Sequence, residues 1–517
     1  MSIFSSSRND KTKESDLVHT TYGMYLGIPE AEAEANNLNI NLSDVFEDYL
    51  DILNQISDGK FIILGRKGSG KSAIGEHIHA LAEADSNSFC SFVKKSDINI
   101  EHIIQIGQKE GIQIEHELLY RWIILTQFIK LFTQNESLAH HAAMSQLQKF
   151  LERNRGFIDI KDYEIENIIK ERGISINTEY IKRAAFYLGR KINTTESKAE
   201  FYKYIPDLEN IVMDLLSYDK DNEYTIIFDD LDIGFNSQSV ESKSILMSLL
   251  RIVKYYNIDL FARKRLSNAR VIILLRNDIA KRLNEADSAK LLASYAIELF
   301  WYDEITSKNE NNSLLKKFIN TRIKYNLAKK KLIIDDPANP WKNFIDERSF
   351  WTDRTGKTAF KHIIDYTFYR PRDLLLFFKD INQEKIHVPI CYHDVMNILL
   401  PRYASEMIRE LKGELCTLYG EDIPNILFDN VLSKYRGKQV FTYEDIYQNI
   451  CSYNIEDARN VINNLYDYSI IGNMDDNDNI YFKFRERSGE IQSLREDERF
   501  VLHNVLHAYY SSTKAIR

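Results

Sequence analysis

Lys60-Phe-Ile-Ile-Leu-Gly65-Arg66-Lys67-Gly68-Ser69-Gly70-Lys71-Ser72-Ala73-Ile74 is the stretch that decides the fold. It matches G-x-x-x-x-G-K-[ST] in full, after an apolar run (Phe61–Leu64) and before a helix-forming one (Ser72–Ala84). Strand, glycine-rich loop and helix together wrap a phosphate chain. Gly65, Gly68 and Gly70 let backbone N–H groups turn inward at the positive end of a helix. Gly65 through Ala73 are therefore the predicted nucleotide-binding residues. In that arrangement Lys71 neutralises the β- and γ-phosphates and the Ser72 hydroxyl is a magnesium ligand. The competing reading, a structural glycine turn, does not account for the flanking strand and helix.

A phosphate loop needs a second strand that brings an acid to the metal. Glu223-Tyr-Thr-Ile-Ile-Phe228-Asp229-Asp230-Leu-Asp232 supplies one, because buried parallel strands end in this way where they open on a ligand crevice. Asp229 is the predicted second magnesium ligand, acting through the water shell. Asp230 is the predicted residue that orients or deprotonates the attacking water, with Asp232 as the alternate acid. A third strand, Arg270–Leu275, ends in Arg276-Asn277-Asp278. Either Arg276 or Asn277 fits beside the γ-phosphate; Arg276 is preferred, and helix capping is the ordinary alternative for Asn277 and Asp278. Phe89–Val93 and Tyr295–Trp301 complete five parallel strands interleaved with helices, an α/β doubly wound core.

The rest of the chain is read around that core. Its 517 residues suggest about three domains. A net charge of −9 with 28% charged and 44% hydrophobic residues excludes a disordered or collagen-like chain. Only 8 Pro and 19 Gly point to a helix-rich body, in which most of the 30 Tyr and 27 Phe pack as core. Cys90, Cys391, Cys416 and Cys451 are scattered and suggest neither a zinc site nor a disulfide framework. Met1–Asp16 has no apolar signal region, and no apolar run reaches the roughly 18 residues of a membrane span, so a reduced, cytoplasmic protein is expected. The acidic balance weighs against nucleic acid. The runs Arg263–Arg265 with Arg270, and Lys316–Lys331, would have to carry such a role; a solvated helix face is their ordinary reading.

These residues resemble the AAA+ and STAND-like branch of P-loop ATPases, and more narrowly bacterial P-loop ATPases often found in antiphage defence loci. Four places carry the resemblance: Gly27-Ile-Pro-Glu30-Ala-Glu32-Ala-Glu34, GRKGSGKS, IIFDDLD followed by LLRND, and Tyr369-Arg370-Pro371-Arg372-Asp373-Leu374. The resemblance implies ATP with Mg²⁺ and a helical lid in which Arg372 touches the γ-phosphate, with Arg370 as fallback. It also implies assembly as a homo-oligomer or action with a partner effector. Many relatives carry Glu where this chain has Asp230, so slow hydrolysis stays open. The alternative for Arg372 is a simple pairing with a neighbouring carboxylate.

Four regions are expected: an N-terminal helical segment (1–58), the P-loop core (59–302), a helical lid (303–389) and a C-terminal winged-helix-like domain (390–517). Ser72 and Asp229 lie 229 − 72 = 157 positions apart, and the excess, about 97–218, reads as a helical insertion with apolar stripes such as Leu118, Trp122, Leu125 and Ile129. In the C-terminal region helices are expected over Val395–Tyr419, Phe441–Cys451 and Glu456–Tyr468. A hairpin through Ile470–Phe484 and a last helix over Glu498–Tyr510 follow. The candidate recognition helix carries Glu456 and Asp457 against Arg459, and the wing tip holds Asp475, Asp476 and Asp478. Lys483, Arg485 and Arg487 are the basic residues nearby, so a protein-facing role is favoured over DNA. The expected function is an ATP-hydrolysing conformational switch in antiphage defence. The alternatives are a DNA-stimulated loader or regulator, and a nucleotide-binding scaffold with little hydrolysis.

Overall fold

A computed structural model describes residues 24–94, 100–111, 114–159, 169, 174–192, 197–231, 235, 239–283, 286–302, 310–331, 336–337, 339–351, 356–437, 440–485 and 493–514. Its described strands are, in chain order, β1 (Ile62–Gly65), β2 (Ser88–Lys94), β3 (Ser175–Asn177), β4 (Lys198–Glu200), β5 (Glu223–Asp229), β6 (Ala269–Arg276), β7 (Ala296–Leu299), β8 (Ile471–Met474), β9 (Ile480–Tyr481) and β10 (Arg499–Leu502). The chain divides into two compact units, 48–299 and 1–47 with 300–517. The N-terminal segment expected at 1–58 is thus divided between them.

The unit 48–299 is built on a five-stranded sheet of order β2-β5-β6-β1-β7, with every pairing parallel. This is the α/β P-loop core that the sequence led us to expect. Its central strands β1, β5 and β6 are continuous apolar runs because both faces are covered by helices, leaving no solvent face to impose alternation. Parallel register aligns the strand ends. Gly65 lies opposite Arg276 on one side and Leu299 on the other, and Asp229 lies opposite Lys94.

The insertion between β2 and β5 packs into the same core as the sheet. Its longest helix, His116–Gln134, buries residues on almost every face, which suits a helix enclosed by others rather than one lying on a surface. Trp122 is fully buried, donates from Nε1 to the Phe157 carbonyl at 2.9 Å, and meets Phe150 and Phe157 edge-on. Arg121 reaches Glu209, which also accepts from Tyr256. The insertion therefore braces the sheet. It also contains the antiparallel pair β3–β4, which its helical stripes did not suggest.

In the second unit the stretch Gly27–Glu34 is held by a buried ion pair. Arg322, on the helix Leu314–Lys329, donates to both Glu34 oxygens at 2.6 and 2.8 Å and to the Leu26 carbonyl at 2.9 Å. Gly27 has φ +128°, and a Cβ there would collide with the Glu34 carboxylate and the Arg322 guanidinium. Only glycine leaves room for the pair.

The C-terminal part places the helices Tyr443–Cys451 and Ala458–Asp467 before a three-stranded antiparallel sheet of order β10-β8-β9, a winged-helix-like arrangement. One expectation is corrected here. Glu498–Tyr510 is not one helix: Arg499–Leu502 is strand β10, and the helix runs Asn504–Lys514. Phe500 pairs with Asn473 and bridges to Phe441, so the backbone of this short apolar run completes a sheet that β8 and β9 leave open.

Candidate nucleotide site

The loop after β1 has the geometry of a phosphate cradle. Gly68 and Gly70 sit at φ +79° and +98°, where a side chain is strained, and Gly70 is the N-cap of the helix Lys71–Ala84 with no side chain capping it. The first amides of that helix are left for the loop and for whatever binds in it. A Cβ on Gly65 would collide with Ser69 Oγ. Lys71 Nζ lies folded on the loop, donating to the carbonyls of Gly65 at 3.1 Å and Arg66 at 3.2 Å. Gly75 tightens the seam behind it: a Cβ there would lie 3.1 Å from Leu274 and Phe92.

The acids meet the loop at the C-terminal edge of the sheet. Asp229 is 6% exposed at the end of β5, and its Oδ1 accepts the Asp230 backbone N–H at 2.8 Å. Asp230 itself has φ +56°, a left-handed conformation that costs free energy and is tolerated best by Asp and Asn among residues with a side chain. The alternate acid Asp232 lies outside the described residues.

Arg276 stands beside Gly65, its guanidinium in a two-pronged pair with Asp278 at 3.0 and 2.7 Å. Burial pushes the Asp278 pKa up, but the charges of Arg276, Arg282 and Lys71 outweigh it, and the carboxyl is held below its usual range. Asn277 does not cap the short helix it begins; its Nδ2 donates to Glu298 Oε1 on β7 at 2.8 Å. Glu298 was missed in the sequence. The only signal was an acid at an inner position of the short strand Ala-Ile-Glu-Leu.

These residues fit a magnesium nucleotide. The cradle tolerates no side chain at Gly65, a lysine already rests in it, and one carboxylate (Asp229) with one hydroxyl (Ser72) is the protein donor set such a metal takes, since phosphates and water supply the rest. Among the described residues there is no cluster of three or more His, Cys, Asp or Glu side chains that could hold another metal, and no helix is long and apolar enough to cross a membrane.

The arginines of the second unit have separate roles. Arg370 is the N-cap of the helix Pro371–Phe378 and is buried against Asp373, with Nη2–Oδ1 at 2.7 Å, and its backbone N–H donates to Asp373 Oδ2 at 3.2 Å. Burial works against its charge, and Asp373 and Glu410 more than compensate, so its pKa is raised. Arg372 is more exposed and approaches Glu410 on the helix Leu400–Tyr419 at 3.7 Å.

Several cations of the basic runs are engaged within the protein. Arg263 pairs with Asp259 and Arg270 with Glu223, both at 3.0 Å; Lys316 is buried on Glu310, and Arg322 on Glu34. Arg485 donates to the Ile480 carbonyl and lies over the rings of Tyr302 and Phe484. Arg487 lies outside the described residues.

No family model matches the chain. It is similar to the transposon gamma-delta 80.3 kDa protein of Escherichia coli (strain K12), at 23% identity over 357 residues, 67% of this chain and 45% of that protein. The chain therefore matches less than half the length of that curated relative. Among solved structures it is similar to the Aeropyrum pernix Orc1 protein in complex with DNA (11% identity, TM-score 0.35, covering 93% of this chain and 96% of that one). It is similar also to Cdc6p from Pyrobaculum aerophilum (11% identity, TM-score 0.26, covering 97% and 99%). The fold stands on the strand order and the loop.

Proposed function

We propose that the protein is a magnesium-dependent, ATP-hydrolysing P-loop switch of the AAA+ and STAND-like branch. One observation carries this reading. The glycine cradle with Lys71, the Asp229–Asp230 pair and the Arg276–Asn277 turn all lie at the C-terminal edge of one parallel sheet. On binding, Lys71 exchanges two loop carbonyls for phosphate oxygens, trading neutral acceptors for charged ones. Mg²⁺, when bound through Ser72 and Asp229, supplies charge neutralisation on the phosphates. Asp230, turned by its left-handed backbone, orients the attacking water and accepts its proton. Arg276 and, from the lid, Arg372 respond to the γ-phosphate, and the lid and winged-helix region relay the change. A homo-oligomer or partner effector and a setting in antiphage defence belong to this proposal on the sequence resemblance alone, and a cytoplasmic location on the cysteine spacing and apolar runs of the sequence.

Steady-state ATP hydrolysis, with and without duplex or single-stranded DNA, tests it. Turnover lost in Lys71→Ala and Asp230→Asn supports the switch. Tight nucleotide binding without turnover under any condition leaves the scaffold. Turnover that rises with DNA and falls steeply with salt favours the loader.

A further inference from the structure

We infer that Glu298 is a positioning residue of the nucleotide site, fixing the Asn277 amide so that Asn277 distinguishes a triphosphate from a diphosphate. The inference rests on the ATP reading above and adds to it a residue on a strand that had no functional assignment. β6 and β7 flank β1 on its two sides, with Gly65 opposite Arg276 and Leu64 opposite Glu298. Asn277 is the residue after Arg276. Its 2.8 Å bond to Glu298 therefore spans two strand spacings, about 10 Å, across the end of β1 where the phosphate loop begins.

The chemistry of the pair fixes the amide. A carboxylate only accepts, so it selects Nδ2 and turns Oδ1 away, which settles the orientation that an isolated asparagine leaves open. Asn277 Oδ1 is buried with no hydrogen-bond partner among the described residues. A buried acceptor left in this condition costs free energy unless something else satisfies it. The second Nδ2 hydrogen and this oxygen suit a phosphate oxygen and the water that attacks it. Arg276 is differently placed: Asp278 holds one edge of its guanidinium, Nε and Nη2, in a two-pronged pair.

The test is calorimetric titration of the full chain with ADP and with a non-hydrolysable ATP analogue, both with magnesium, alongside kcat and KM for ATP. Glu298→Ala and Asn277→Ala are each expected to lower the analogue-to-ADP affinity ratio and kcat by about tenfold, the worth of one hydrogen bond to a charged group. The double variant should fall no further, because the two residues act as one. Glu298→Gln, which can still present an oxygen to Nδ2, should keep the ratio within about threefold of wild type. Should Glu298→Ala fail to fold, Glu298→Asp keeps the charge but falls one methylene short, and the same loss is expected. An unchanged ratio in Glu298→Ala or Glu298→Asp, or losses that add in the double variant, would overturn the role of Glu298 while leaving the ATP reading intact. Wild-type protein that binds neither nucleotide overturns both.

Discussion

Gly65→Ala isolates the phosphate loop from the rest of the molecule. The added methyl would meet Ser69 Oγ and press on Leu299, so the loop must open where it should wrap a phosphate. Overpacking of this kind costs about 1–3 kcal/mol of stability. Nucleotide affinity should fall by about tenfold or more, since a 1.4 kcal/mol loss already gives tenfold. A variant that melts a few degrees lower yet binds ADP as the wild type does would show that the cradle is not the site. His503 gives a second test at this scale. Burial above all, with the charge of Arg485 behind it, lowers its pKa to about 3. Its ring stacks on Phe368 at 4.3 Å, and its Nδ1 accepts the Val505 amide. The folded state holds this ring neutral while the unfolded chain protonates near pH 6.5. Stability is therefore full above about pH 6.5 and falls by about 1.4 kcal/mol per pH unit as the pH drops toward 3. Thermal melts between pH 7 and 5 should show this slope in the wild type and a shallower one in His503→Gln. Of these residues, only the loop was legible in the sequence, where glycine spacing states its geometry. Glu298 and His503 act through neighbours that are distant in sequence, and no local pattern marks them.

Between elements, Arg370 and Arg372 differ by how deeply each is buried. Arg370→Ala would strand Asp373, which is fully buried, by removing its guanidinium partner; about 3–5 kcal/mol is the usual cost of halving a buried pair. Arg372→Ala removes a longer, more exposed contact with Glu410, worth at most about 1 kcal/mol. Denaturant melts should therefore separate the two, with Arg372→Ala close to wild type in stability but slower in ATP turnover. Equal, large destabilisation by both would make Arg372 part of the scaffold and remove it from the proposed sensor pair. The parallel strands and the helix after the loop were legible at this scale because buried runs and glycine punctuation are local signals. The strand Arg499–Leu502 was not. A three-residue apolar run followed by Val505, Leu506 and Tyr510 has helical spacing, and only the open edge of β8 selects strand pairing. The same limit applies to Arg322, whose place in a basic run gives no sign that Glu34 lies beneath it.

For the whole molecule, the distribution of charge sets what the protein is expected to leave alone. The net charge is −9, and some cations of the two basic runs are spent on pairs within the protein: Arg322 on Glu34, Lys316 on Glu310, Arg270 on Glu223. The tip of the winged-helix-like sheet is organised by Asp475, which accepts the amides of Asn477 and Asn479, and Arg499 is drawn to Asp478. A surface that bound a duplex through six or more phosphates would lose about a thousandfold in affinity between 50 and 200 mM salt. With these cations engaged and acids at the sheet tip, the two basic runs keep fewer side chains to produce that slope. DNA is therefore expected to change ATP turnover by less than about twofold at either salt concentration, and any binding to show a slope worth about two phosphates or fewer. Fluorescence anisotropy of a labelled duplex across the salt range, with hydrolysis measured in parallel, decides the point. A slope corresponding to six or more phosphates would show that cations outside these pairs form a continuous track, and would move the protein from a protein-facing switch to a DNA-dependent one.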